Sequence, residues 1–540
     1  MLSLQGARSK CLKMLELQLT KAGVHVSMNG IELGLFANRI AAICDEMGAI
    51  LRRAAFSPNI KDRLDFSCAV FDRSGGLCAQ AAHIPVHLGS MAYAMADVVG
   101  GVEWAPGDMM ILNDPFLGGT HLPDVTVIAP VFVDQTLVAF VVNRAHHADI
   151  GSDAPGSMPL STDLAQEGLL IPPMKLHNRG EADPVVLGML GQLDSAAVVG
   201  GSGLHGDFAA QVSANLTGLK RAIALIEESG GVKAFNQALV ELNNYAEQLS
   251  RSALSDLPVG RWCASALMDD DGAGTQDIEI QVTVSVDESG VAVDFAGTSA
   301  QVAGNINCPL PVTAAAVYYA VRCLLPDEAP QCGGTFRPIT IAAPEGSLVN
   351  ARRPAAVAAG NVETSMRIVD AIFAALAQPL PDRIPAASQG SMNNLAMGVL
   401  GGWHYYETMA GGAGAACGQN GAHAVHSHMT NTLNTPVESL ETHYPLRIVR
   451  YAIRHGSGGD GEFKGGDGVV REFEFLEPTA VTLITERRRH RPPGAHSGGD
   501  GMAGQNHLNG ALLAPKCSLK VATGDRISVA TPGGGGWGKP

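Results

Sequence analysis

The sequence predicts an α+β fold whose sheets are largely antiparallel. Two runs of strand-forming residues, 125–143 and 275–296, each fold back through a short turn. Helical apolar spacing fills other stretches. Glycine is abundant, 64 of 540 residues, and aromatics make up 5%, which predicts a loop-rich chain with tight turns and close backbone contacts.

Taken in order, residues 31–56 predict a helix from Ile31, Leu33, Leu35, Ile40, Ile43, Met47, Ile50 and Leu51. A strand at 65–72 ends in the turn Arg73-Ser74-Gly75-Gly76. The first hairpin runs VTVIAPVF, turns around Val133-Asp134-Gln135, and returns as TLVAFVVN. Residues 208–254 read as two amphipathic helices broken at Gly230-Gly231. The second hairpin turns near Asp287-Glu288-Ser289-Gly290, and helices follow at 311–325 and 362–378. Beyond 400 the chain is glycine-rich, with short strands such as VREFEFL and AVTLITE. Boundaries near 205 and 260 divide the chain into an extension (1–28), an α+β region (29–205), a helical segment (206–260) and a glycine-rich α+β region (261–540).

Composition removes several functions. With 46% hydrophobic and 16% charged residues the chain is too apolar to be disordered. Its 52 acidic against 37 basic side chains argue against a nucleic-acid partner, which needs a basic face. No stretch reaches the roughly 18–20 apolar residues of a membrane helix, and the N-terminus has no secretory h-region. The ten cysteines contain no CxxC and read as reduced, buried residues of a cytoplasmic protein. No GxGxxG joins a strand to a helix, and no glycine run ends in GK[ST], so no nucleotide site is predicted. The basic run 486–491 reads as a contact to an acidic partner or as part of an internal carboxylate network.

Five of the 17 histidines fall between 83 and 147, among Asp65, Asp114, Asp124 and Asp149. If the hairpin turn centres on Asp134-Gln135, Asp124 lies opposite Ala145 and His121 opposite Ala148. Either His146 or His147 then comes next to Asp124, because a one-residue slip exchanges them. Two imidazoles and a carboxylate at one hairpin mouth suit a divalent metal. Gly118-Gly119 would let the backbone turn before His121. Asp149 and the unselected histidine would orient a ligand imidazole. His83 and His87 are four apart, but Pro85 argues against a shared helical face, leaving them as pocket acids or donors. His423, His426 and His428 could join the same pocket or line a channel.

The chain resembles the hydantoinase B/oxoprolinase family. The resemblance is carried by DRLDFSC at 62–68, HIPVHLGSM at 83–91, NDPFLGGTHLPD at 113–124 and RAHHADIG at 144–151. It continues through GNVETSMRIVD at 360–370, PAASQGSMNN at 385–394, HSHMTNTLNTPVE at 426–438 and PGGGGWG at 532–538. It spans about residues 29 to 540. It implies the glycine-rich, multi-domain architecture of that family. It also implies a B-type subunit of an ATP-dependent hydantoinase, 5-oxoprolinase or lactamase. In such systems an A-type partner binds ATP and phosphorylates the substrate oxygen, and the assembly expected is a dimer of heterodimers. The resemblance implies that His121, Asp124 and His146 hold the metal, with Asp65 a further ligand, and so favours His146 over His147. Zinc, manganese and iron all fit such a mixed N/O set.

The implied chemistry is coherent. Resonance makes an unstrained amide a poor electrophile. A phosphorylated carbonyl oxygen is a better leaving group, and a metal lowers the pKa of the water that attacks. His147 or Asp149 could take the proton, with His83 and His87 as further candidates. Competing readings are a subunit of an acetone- or acetophenone-type carboxylase, a scaffold for the A-type partner, and, from ligand types alone, a two-His-one-carboxylate iron oxygenase.

Overall fold

The computed structural model describes residues 28–87, 89–193 and 206–540. The expected extension, 1–28, lies outside them except for Met28. The first helix, α1 (Gly30–Ala54), starts at a capping box: the Asn29 side chain accepts from the Ile31 and Glu32 nitrogens, and Glu32 returns to the Asn29 nitrogen. It buries Leu33, Phe36, Ile40, Ile43, Met47 and Leu51. Ile31 and Leu35, counted in the same apolar series, face solvent.

A seven-stranded antiparallel sheet follows: β1 (Phe66–Asp72), β2 (Leu77–Ala82), β3 (Met109–Leu112), β4 (Asp124–Val133), β5 (Thr136–His146), β6 (Met174–Asn178) and β7 (Glu181–Ala182), in the order β2-β1-β5-β4-β3-β6-β7. Helix α2 (Ser90–Val99) lies between β2 and β3 in the chain, and α3 (Gly206–Glu228) and α4 (Val232–Leu254) follow the sheet. The break between α3 and α4 falls at Gly230 and Gly231, whose φ angles of 93° and 97° end one helix and start the next. The sheet is covered on both faces. Val125, Val127, Ala129 and Val131 of β4 pack into a core with α1, α3 and α4, while Ile128 joins a second core with α2. Burial on both sides explains why VTVIAPVF is a continuous apolar run instead of an alternating one.

The first hairpin corrects the expected register. Asp134 and Gln135 form a two-residue turn, both left-handed (φ 46° and 64°). Beside it Val133 pairs with Thr136 and Phe132 with Leu137, as expected. A bulge between Val131 and Phe132 then inserts an extra β5 residue, so Asp124 faces His146 and not Ala145. His121 precedes the paired residues instead of facing Ala148.

The second hairpin joins β8 (Gly260–Asp270), β9 (Gln276–Asp287) and β10 (Gly290–Asp294), with β11 (Ile339–Ala342) parallel to β10. Helices α5 (Leu310–Arg322) and α6 (Ser365–Leu376) pack into the core with α2, and a π turn at Gly360–Thr364 leads into α6. Two further antiparallel sheets, of four and five strands, are built from 394–530. The mixture of helices and mostly antiparallel sheets is the α+β class expected.

The glycine-rich half uses glycine for contact more than for turning. Segments 411–422, 457–466, 493–501 and 532–538 lie backbone against backbone. A Cβ on Gly412 would stand 1.9 Å from the Gly466 carbonyl oxygen, and one on Gly534 would stand 2.0 Å from that of Ala413. The stack is hydrogen-bonded throughout: Gly534 donates to the Gly466 carbonyl at 2.9 Å, Gly535 to Ala387 at 2.8 Å and Gly536 to Gly499 at 2.9 Å.

The basic run 486–491 belongs to an internal network. Asp269 accepts from the backbone nitrogens of Arg488, Arg489 and His490, and Arg487 pairs with Asp370 at 2.6 Å. Glu363 is buried beside this network, accepting from Ser391 Oγ, the Met392 nitrogen and Asn394 Nδ2. Burial first, and then the charge of Glu486, push its carboxyl up to about 8. Between the ordinary glutamate value and about 8, the unfolded chain is ionised while the folded one keeps its proton. Stability therefore falls as pH rises through that window, by up to about 1.4 kcal/mol per pH unit from this group. Melting curves from pH 5 to 8.5 are expected to show Glu363→Gln with a flatter decline than the parent. Parallel declines would remove Glu363 as the cause.

Five of the nine described cysteines are buried, whereas Cys263, Cys323 and Cys417 are exposed, and none is in a disulfide. Among the described residues no helix is long and apolar enough to cross a membrane.

Candidate metal centre

Three side chains converge where the β4–β5 hairpin opens. Asp124 begins β4 and His146 ends β5, so strand pairing sets them face to face. His121 comes from the loop before β4. That loop is held by the Asn113 amide, which donates to the carbonyls of Leu122 and Leu169, both at 2.8 Å. Gly118 in the same loop has φ 78°, and a Cβ there would stand 1.9 Å from the Ala94 nitrogen of α2, so the loop can rest on that helix only with glycine at this position. Fully buried Arg144 ties these parts together, donating to the Gly118 carbonyl (2.9 Å), Ser90 Oγ (2.8 Å) and Thr126 Oγ1 (2.9 Å).

The three donor atoms form a nearly equilateral triangle. His121 Nε2 is 3.1 Å from His146 Nδ1 and 3.2 Å from Asp124 Oδ1, and His146 Nδ1 is 3.1 Å from Asp124 Oδ1. Donors that share one ion at about 2.0–2.2 Å, spread by about 90–110°, stand roughly 2.8–3.6 Å apart. His121 Nδ1 lies 3.2 Å from the Ala358 carbonyl oxygen, to which it can only donate. In the neutral ring this leaves the Nε2 lone pair for the centre of the triangle. Two imidazole nitrogens and a carboxylate oxygen, all buried, therefore fit a divalent transition metal.

The other carboxylate oxygen, Asp124 Oδ2, receives a short hydrogen bond from Thr120 and lies 3.3 Å from His87 Nε2 and 3.4 Å from Asn361 Nδ2. Burial pushes Asp124 up, but the charge of His121 and hydrogen bonds from both histidines outweigh it and hold the carboxyl well below its usual range. For His121, burial lowers the pKa and Asp124 more than restores it, so the net direction is upward; for His146 burial dominates and the direction is downward. Tyr406 stacks on His146 at 4.9 Å between ring centroids, and the Arg63 guanidinium lies 4.9 Å from the centre of the same tyrosine ring. The cavity is small, about 20 Å³, walled by Asp65, Val86, His87, Asn361, Thr430 and Thr432 among others. That is room for one ion or water.

Residues 29–540 match the family model for hydantoinase B/oxoprolinase. The chain belongs to the hydantoinase B/oxoprolinase family. It is 39% identical to 5-oxoprolinase 1 of Arabidopsis thaliana over 94% of its own length, but spans only 42% of that protein. A Pseudomonas protein named for the B-type chain of a D-/L-hydantoinase is 33% identical, with 92% of this chain and 87% of that one covered. The crystal structure of an ATP-dependent caprolactamase from Pseudomonas jessenii superposes with a TM-score of 0.87 at 28% identity, covering 95% of this chain and 92% of that one.

Within this hydantoinase B/oxoprolinase chain the remaining singled-out residues divide sharply. Asp65 walls the cavity and its carboxylate lies 3.9 Å from Arg63, outside the group of three converging donors. His87 also walls the cavity. His147 points to the other side of the hairpin, as strand alternation requires after His146. It donates from Nε2 to Gln211 Oε1 at 3.0 Å and stacks on Phe208. His147 and Asp149 line a separate cleft of about 260 Å³ together with Asp207 and His404. His83 stands edge-on to Phe66 and lines a third cleft of about 910 Å³ under α1. Of the later histidines, His426 meets Thr430, His428 is buried against Asp370, and His423 is at the surface by Asp467. Sequence reasoning gave no role to Thr120, Asn361 or Tyr406. Thr120 adjoins His121, and Asn361 and Tyr406 lie in segments shared with the family, but the latter two are more than 200 positions from Asp124, so nothing in the sequence tied them to it.

Proposed function

We propose that this chain is the B-type, metal-dependent subunit of an ATP-dependent cyclic-amide hydrolase, opening a ring that an A-type partner has phosphorylated. The observation that carries this reading is the buried His121–Asp124–His146 triangle in a member of a family with oxoprolinase and hydantoinase-subunit relatives. The chain's coverage of most of a hydantoinase subunit, against two fifths of a longer oxoprolinase, supports a division of labour between subunits. The lack of a nucleotide motif in the sequence agrees with ATP being handled by the partner.

The three residues would hold a zinc, manganese or iron ion, which when bound supplies Lewis acidity that brings the pKa of water toward neutrality. Thr120 and Asn361 fix the Asp124 carboxylate so that Oδ1 stays with the histidines. His87, the one of the four candidate acid–base residues that walls the cavity, holds or passes a proton at Nε2 beside Asp124 Oδ2. A cyclic amide is far larger than the cavity, so the reading requires a wall to move, and the segment carrying Thr430 and Thr432 is one of the walls made of loop.

The test is reconstitution with the A-type partner. Ring opening of 5-oxoproline, hydantoin or caprolactam, measured as the newly formed carboxylate, is expected only with both chains, ATP and a divalent metal. Sizing of the complex is expected to give two copies of each chain. Ring opening by this chain alone without ATP would overturn the reading. Full activity of the partner without this chain would reduce it to a scaffold.

A further inference from the structure

We propose that Glu167 is the positioning residue for His121, acting through the backbone of residues 357–358. This rests on the reading of His121, Asp124 and His146 as a metal centre.

Glu167 is fully buried, and its hydrogen bonds go to none of the three donors. Its Oε1 receives three hydrogen bonds: from Ser161 Oγ at 2.7 Å, the Val357 nitrogen at 2.8 Å and the Ala358 nitrogen at 2.9 Å. Two of these donors are consecutive peptide groups at a helix start: Val357 precedes, and Ala358 opens, the helical turn that runs into the π turn at Gly360–Thr364 and then α6. The first nitrogens of a helix have no acceptor within it, so the carboxylate caps this turn and fixes where it begins. The next carbonyl along, that of Ala358, accepts from His121 Nδ1 at 3.2 Å. An imidazole that donates from Nδ1 presents its lone pair at Nε2, the atom that faces His146 and Asp124. The chain of contacts thus runs from a side chain, through one residue's backbone, to the ring orientation and tautomer of a ligand. Partners of this kind typically alter metal affinity about 10–100-fold.

Reach, and not charge, is what the contacts demand. All three donors meet one oxygen, which glutamine also offers in the same place, whereas aspartate keeps the charge but is one methylene shorter. Burial pushes the Glu167 carboxyl up to about 7, so the neutral form is present near neutral pH and the arrangement does not depend on ionisation.

Three variants, Glu167→Gln, Glu167→Asp and Glu167→Ala, should be compared by chelator competition for zinc and cobalt. Metal-free protein labelled with ¹⁵N-histidine reports the His121 tautomer, at a pH that leaves the ring neutral. Glu167→Gln is expected to bind metal within about threefold of the parent and to keep the Nδ1–H tautomer. Glu167→Asp and Glu167→Ala are expected to lose about 10–100-fold in affinity and to show mixed tautomers. If Glu167→Ala fails to fold, the glutamine–aspartate pair still decides. Parent-like affinity and tautomer in Glu167→Asp, or affinity that follows charge, with aspartate binding better than glutamine, overturns the proposal. Failure of the metal-centre reading looks different: the parent itself would bind no transition metal, while metal-free Glu167→Asp would still show the mixed tautomers.

Discussion

Protein carrying Asp124→Asn is expected to emerge from purification with less than about a tenth of an equivalent of transition metal, and to lose ring-opening activity in the reconstituted complex. Asp124 Oδ1 is the one anionic donor of the triangle, 3.1–3.2 Å from both imidazole nitrogens. Asparagine has the same shape, so the fold should survive, but it replaces a charge that offsets the cation with a neutral amide in a site closed to solvent. The loss should exceed the roughly 10–100-fold typical of partners one step removed from a metal. His83→Ala and His147→Ala are expected to retain metal, because those rings face other clefts. Elemental analysis after dialysis against a weak chelator measures all three. Stoichiometric metal in Asp124→Asn, or its loss in His83→Ala, would place the ion elsewhere.

Gly534→Ala is expected to prevent folding, or to lower stability by more than about 4 kcal/mol, a size reserved for disrupted cores and strained backbone. The new Cβ would meet the Ala413 carbonyl oxygen at 2.0 Å, its carbon at 2.3 Å and the Gly414 nitrogen at 2.7 Å. All three are backbone atoms of a hydrogen-bonded stack and cannot turn aside as a side-chain tip could. Gly34→Ala is the counterpart. It lies inside α1 with nothing within 4 Å of the added carbon, and should raise stability by about 0.5–1 kcal/mol through helix propensity. Soluble expression and thermal melts of the two variants separate these outcomes. A Gly534→Ala protein melting with its parent would mean that the stack is loose.

The sequence carried the helices and hairpins well because their signals are local. α1 has its capping box at Asn29 and Glu32, and β9 alternates faithfully, burying Ile278, Ile280, Val282, Val284 and Val286. The register of the β4–β5 hairpin was legible to within one residue. The bulge at Val131–Phe132 settles it, and in a strand buried on both faces no alternation of polar and apolar residues marks the extra residue. The choice of His146 over His147 therefore needed either a resemblance or the fold. His83 and His87 looked equivalent four residues apart, but the turn at Pro85 sends them to different cavities. Glu167 was invisible because its partners are peptide groups 190 and 191 positions away. The abundance of glycine already predicted close backbone contacts, but which four distant segments lie on one another became apparent only from the fold.

That stack has a consequence for the order in which the molecule can be completed. Segments 411–422, 457–466 and 493–501 all await the strip at 532–538, which hydrogen-bonds to the Gly466 and Gly499 carbonyls. At roughly 5–20 residues per second on the ribosome, about 6–25 s separate the emergence of the first of these segments from that of the last. During that interval Gly466 and Gly499 can already donate to the Ala413 and Asp460 carbonyls, but their own carbonyls wait for the final strip. The hairpin that carries Asp124 and His146 will have been synthesised long before, so a chain cut short ahead of Pro532 would carry the residues of the metal centre on a body unable to close.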